Sequence, residues 1–115
     1  MVRARVFASI AFVFALAAPA AAQVAVPVHN HTMHVGPATG GISLLAARVR
    51  SLLGVTNDSA NTVYCTVDNT DAADGAGQRL NASGGSMLLD VKVPTGALRC
   101  YSGTAGSRIN VMEGR

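Results

Sequence analysis

The chain opens with Arg3 and Arg5, runs through an apolar stretch from Val6 to Ala18 broken only by Ser9, and reaches Pro19 and Ala20-Ala21-Ala22 before Gln23. Basic, apolar and small-residue parts in that order make a cleavable secretory signal, because signal peptidase accepts only small side chains one and three residues before the cut. A membrane anchor is the competing reading. It needs about 20 apolar residues, and this core is nearer 13 and stops at Pro19. No cysteine lies at the cut to carry a lipid, and no later stretch is long or apolar enough to span a bilayer. Residues 1–22 are therefore assigned to the signal. What must fold is a domain of roughly 90 residues in a periplasmic or extracellular setting. A domain that small buries a limited core and is marginally stable by itself.

That setting gives the two cysteines their meaning. Cys65 and Cys100 are the only ones in the chain, and two cysteines in an oxidising compartment allow one intramolecular pairing. Closing a loop of about 35 residues stabilises the fold by roughly 4 kcal/mol through the unfolded chain. There is no C-x-x-C spacing of the redox kind. Removing the signal also alters the charge: Arg3 and Arg5 leave, and the formal +3 of the whole chain falls towards neutrality. The single lysine, Lys92, and the scattered arginines form no basic stripe that would follow a phosphate backbone, so no nucleic-acid partner is expected.

Residues 23–41 read as an extended leader containing all three histidines. Pro27, Pro37 and Gly40-Gly41 prevent a continuous helix, while Val24, Val26 and Val28 alternate as in a strand. Residues 42–115 read as one all-β domain. Short segments, apolar at 51–56, alternating at 62–68, brief at 78–81, β-rich at 86–93 and with apolar residues sharing a face at 97–102 and 108–112, are separated by Asn57-Asp58-Ser59, a polar loop, Ser83-Gly84-Gly85, Pro94-Thr95-Gly96 and a glycine turn. Turn signals every 8–12 residues predict a small antiparallel β-sandwich or barrel of about six to seven short strands with one disulfide. Ile42, Leu45, Val49, Leu52 and Leu53 also fit a helical stripe. Two strands split near 46–50 are the preferred reading, because sheet edges need partners.

The apolar strand ending in Asn57-Asp58-Ser59, the Thr62-Val63-Tyr64 strand, the Gly77–Leu80 segment with its Gly84-Gly85 turn and the closing Ile109-Asn110-Val111-Met112-Glu113-Gly114 come in a telling order. Together they resemble a small β-sandwich module of phage virion structural proteins, over about 46–114. The resemblance implies a non-catalytic surface or attachment piece. The export signal and the cysteine pair depart from it, since virion parts assembled in the cytoplasm need neither.

The sharpest chemical feature is His29-Asn30-His31-Thr32-Met33-His34. His29, His31 and His34 with Met33 are the candidate metal ligands: imidazole suits Cu, Zn or Ni, and the thioether suits Cu(I). Linear histidine tracts also bind metals weakly without that being their role, and no cofactor is the favoured expectation. Asp68, Asp71 and Asp74 with Asn69 read as a solvated turn rather than a Ca²⁺ loop. No nucleophile elbow or phosphate loop is present, so no catalytic residue is assigned and an enzyme is not expected. Asn57-Asp58-Ser59 and the other N-x-S/T triplets read as turn chemistry. Tyr64 and Tyr101 are the only aromatics beyond the signal, a scarcity that counts against a lectin. The functional expectation is an exported non-catalytic binding or structural module with an envelope or extracellular macromolecule as partner, a periplasmic metal-binding protein being the alternative.

Overall fold

A computed structural model describes residues 27–115. The signal segment, with the part of the leader that holds Val24 and Val26, lies outside the described residues. Among the described residues there is no helix and there are seven strands: β1 (Val28–Val35), β2 (Leu52–Asn57), β3 (Val63–Thr66), β4 (Gln78–Leu80), β5 (Ser86–Leu89), β6 (Arg99–Ser102) and β7 (Ser107–Gly114). They form two antiparallel sheets, one ordered β1-β7-β2-β5 and the other β4-β3-β6. The all-β expectation holds, and the two open sheets make the architecture a sandwich.

The period-two pattern is what orients each strand. On β7, Ser107, Ile109, Val111 and Glu113 are buried while Arg108, Asn110 and Met112 are exposed. Cross-strand partners share a face, so Leu53 and Val55, opposite Glu113 and Val111, point inward with them. From the smaller sheet, Val63, Cys65, Leu80 and Cys100 meet these residues in a single apolar core with Val35, Leu45 and Leu98. Among the described residues the core holds no aromatic ring. Cys65 and Cys100 lie directly opposite each other on β3 and β6, with Cα atoms 4.1 Å apart, and are joined by the disulfide. No free cysteine remains. A buried cross-strand disulfide belongs to an oxidising environment outside the cytoplasm, and among the described residues no helix is long and apolar enough to cross a membrane.

Two segments behave in ways that alternation alone does not reveal. The histidine-bearing stretch is a full strand, with β1 paired to β7 from Val28 opposite Gly114 to Val35 opposite Ser107. Of the two strands expected over 42–53, split near 46–50, with a helix as the other option, the second is observed as the start of β2 and the first is not a regular strand. That first stretch makes one isolated bridge, Leu45 opposite Leu98, and regular pairing begins only at Leu52. Ile42 and Val49, needed for an apolar stripe, are 53% and 80% exposed. The physical reason is Arg50: its guanidinium takes the carbonyl of Ala46 at 2.7 Å, so the chain curls around a charge instead of lying along a neighbour.

Candidate functional site

The sandwich separates the four candidate metal ligands. By register with β7, His29, His31 and Met33 stand on the inward face of β1, opposite Glu113, Val111 and Ile109, whereas His34 lies opposite the outward Arg108. His31 Nε2 is buried with no hydrogen-bond partner. His29 and His34 are exposed. Among the described residues no group of three or more His, Cys, Asp or Glu side chains converges to hold an ion. The geometry leaves His29, His31 and Met33 as the subset that shares a face.

Many of the remaining charged groups are bound into the fold. Glu113 is fully buried and receives Arg50 Nε at 2.7 Å on Oε2. Arg50 is equally buried, and its other donors reach Gly96 O at 2.8 Å, Pro94 O at 3.2 Å and Ala46 O. Arg48 Nε lies 3.1 Å from the same Oε2 and Arg115 Nε 3.2 Å from Oε1, both from partly exposed side chains. A guanidinium with four of its five donors matched to acceptors is the arrangement that makes a buried charge tolerable. Asn57 does similar work between the sheets. Its amide donates to Asn61 O at 2.6 Å, Leu80 O at 3.0 Å and Asn81 O at 3.1 Å, while its carbonyl accepts from Ser59. Asn57 is fully buried, which makes this N-x-S triplet turn chemistry in fact.

Two concave regions on the outer faces are the roomier of those among the described residues. On the larger sheet, Gly54 leaves a groove of about 440 Å³ bordered by Asn30, Thr32, Thr56, Ser86, Leu88 and Asn110. A Cβ at Gly54 would meet Leu88 Cδ1 at 3.5 Å and Met112 Cε at 3.6 Å. On the smaller sheet, a recess of about 450 Å³ is lined by Asn61, Thr62, Tyr64, Asp74, Tyr101 and Thr104. Tyr64 and Tyr101 face each other across β3 and β6. Alternation puts them outward, because Cys65 and Cys100 beside them point inward.

The recess has a constructed wall. The β3–β4 loop folds back over the sheet, held by Thr66 Oγ1 donating to Thr70 O at 2.6 Å and by Arg99 Nη1 donating to Asn69 O at 2.9 Å and Asp71 Oδ1 at 3.0 Å. Asp68 starts the turn: its carboxylate accepts the Thr70 hydroxyl and then the Thr70 N–H, and these bonds hold its pKa below the ordinary carboxylate value. Gly40 brings the preceding chain against this loop, with Ala72 N donating to Gly40 O at 2.8 Å. A Cβ at Gly40 would stand 2.0 Å from Ala72 O, so only glycine permits the approach. Asp74 is thereby set beside the two tyrosines.

No family model matches the chain, and no match was found among curated proteins or solved structures. The site argument therefore rests on this chain's own geometry. The sequence reading found the cysteine pair and the histidines but missed the Arg50–Glu113 pair and the tyrosine recess. Strand alternation held the signal for the recess: Tyr64 neighbours Cys65 and Tyr101 neighbours Cys100, so pairing the cysteines also pairs the tyrosines on the opposite face.

Proposed function

We propose that the protein is an exported, non-catalytic binding module of the cell envelope or secreted fraction, working in the periplasm or beyond, and that the recess around Tyr64 and Tyr101 is its binding surface. One observation carries the reading: both aromatic residues of the domain lie together on a solvent-facing sheet surface instead of in the core. Aromatic side chains supply large apolar area and normally anchor cores or interfaces, and this core is built from aliphatic residues and a disulfide. Three of the carboxylates are engaged in ion pairs, Glu113 with Arg50, Asp71 with Arg99 and Asp58 with Arg108, whereas Asp74, at the recess, stands unpaired among the described residues. The export signal read in residues 1–22 and the disulfide agree on the compartment.

The test begins with the full chain expressed in a bacterium. The expected product starts at Gln23, appears outside the cytoplasm with both cysteines oxidised, and sediments with cell-envelope material. Tyr64→Ala should lower the sedimenting fraction several-fold without altering export. A product that keeps residues 1–22 in the cytoplasm, or sedimentation indifferent to Tyr64, would sink the reading.

The metal alternative keeps one specific support, the unpartnered His31 Nε2 beside His29 and Met33. A ligand that binds only the folded state raises stability by mass action. Thermal unfolding with stoichiometric Cu²⁺, Zn²⁺ or Ni²⁺, beside a His29→Ala/His31→Ala variant, decides it. A midpoint rise of several degrees that the variant loses would favour the metal function; no such difference would retire it.

A further inference from the structure

We infer that the Tyr64–Tyr101 recess takes a neutral saccharide, one or two sugar residues of a longer glycan, with Asp74 as its hydroxyl-binding carboxylate. The inference rests on the binding-module reading and names its ligand class.

The argument begins with ring position. Tyr64 and Tyr101 are opposed in the β3–β6 register, and both are half-buried, so each ring is held by its neighbours while keeping surface towards solvent. Two adjacent aromatic surfaces on a rigid sheet offer what the C–H face of a pyranose needs: a broad, weakly polar surface that loses little side-chain freedom on contact. The disulfide directly beneath ties β3 to β6, which fixes the spacing of the rings.

Polar chemistry around the rings narrows the class. Among the described residues, Asp74 has no ion-pair or hydrogen-bond partner, and neither the Thr62 nor the Thr104 hydroxyl makes a hydrogen bond, while Asp68 and Asp71 nearby are engaged. A free carboxylate accepts from two vicinal hydroxyls through its two oxygens, and threonine hydroxyls both donate and accept. That set suits a neutral polyol. It disfavours uronates and sulfated sugars, whose charge Asp74 would repel. The recess, at about 450 Å³, lies at the low end for small-molecule sites, which fits one or two rings of a glycan continuing into solvent.

The count of aromatics argued against sugar binding at the level of sequence, because it measured how many rings there are and not where they stand. Placement reverses it: the two that exist are neighbours.

The chain has no tryptophan and two tyrosines, so its intrinsic emission reports the recess alone. The protein recovered from the exported fraction is titrated with cellotriose, chitotriose, maltotriose and, as the charged control, trigalacturonate. The expected result is a saturable change in tyrosine emission with at least one neutral trisaccharide, in the high micromolar to millimolar range, and none with trigalacturonate. Asp74→Asn, an exposed and conservative change, should weaken the response at least about tenfold, with unchanged thermal unfolding. Tyr101→Ala, followed by retention on insoluble cellulose or chitin, should abolish binding. Emission unchanged by all three neutral sugars, or a response that Asp74→Asn and Tyr101→Ala leave intact, overturns the saccharide assignment. Envelope sedimentation that still depends on Tyr64 while no sugar binds would overturn the ligand class and leave the binding-module reading standing.

Discussion

The two sheets are each tied by one long-range link, and the links are opposite in kind. In the smaller sheet Cys65 and Cys100 join strands that are already neighbours, 35 residues apart in sequence. The link is covalent and acts by restricting the unfolded chain. In the larger sheet Arg50 and Glu113, 63 residues apart, hold the irregular 42–51 segment and the Pro94–Gly96 turn against the end of β7. That link acts wholly within the folded state, and its removal exposes the desolvation cost of whichever charge is left behind. One sheet is secured by limiting what the chain does when unfolded, the other by what it must satisfy when folded.

Three measurements sharpen or break this contrast. The largest effect is expected from Glu113→Ala, which leaves the Arg50 guanidinium buried without a counter-charge and should cost about 3–5 kcal/mol by urea unfolding. Arg48→Ala, which removes a partly exposed partner, should cost under about 1 kcal/mol. A double change to Arg50→Met/Glu113→Leu should recover most of the loss, since apolar replacement of a buried pair is often neutral. Equal effects of Glu113→Ala and Arg48→Ala would show that the pair is not desolvated as described. Next comes Cys65→Ala/Cys100→Ala, expected to cost roughly 4 kcal/mol and to steepen the denaturant dependence, because the unfolded chain expands once untied. Loss of stability with no change in slope would argue against an unfolded-state mechanism.

The smallest effect concerns acid. Asp68 has a folded pKa lowered mainly by the Thr70 hydroxyl, so its contribution is fully present above the ordinary carboxylate range and disappears as pH falls through the lowered folded value, below about pH 4. Asp68→Asn should therefore flatten the acid limb of the stability profile slightly and leave neutral pH nearly untouched. An effect at neutral pH as large as in acid would show that the turn is held by something other than the ionised carboxylate.

What the sequence disclosed follows the same division. Six of the seven strands were visible because period-two alternation and glycine, proline and asparagine turns are local signals. The disulfide was visible because two cysteines have one way to pair. The ion pair was not, since Glu113 could answer any of several arginines and nothing local marks Arg50 as buried. Its hidden role also explains the misreading of the first of the two strands expected before Leu52, where hydrophobic spacing suggested regular structure and a charge dictated the path. The recess lay between these cases. Its two rings are fixed by alternation and by the cysteine register, but its wall depends on the Gly40–Ala72 approach and on a loop hydrogen-bonded across 28 to 32 residues, which no pattern in the primary sequence announces.

The position of β7 has a consequence for the order in which the sheet can close. It lies between β1 and β2 in the larger sheet, yet it is the last of the seven strands to be made. Until it emerges, β1 has no neighbour to hydrogen-bond, and the inward faces of β1 and β2 have nothing to join them. Pairings so distant in sequence form slowly and late. A chain with this strand order leaves the larger sheet open at its centre until β7 is in place, so that sheet closes in one late step. The strand order thus makes β7 the keystone on which the pairing of both β1 and β2 waits.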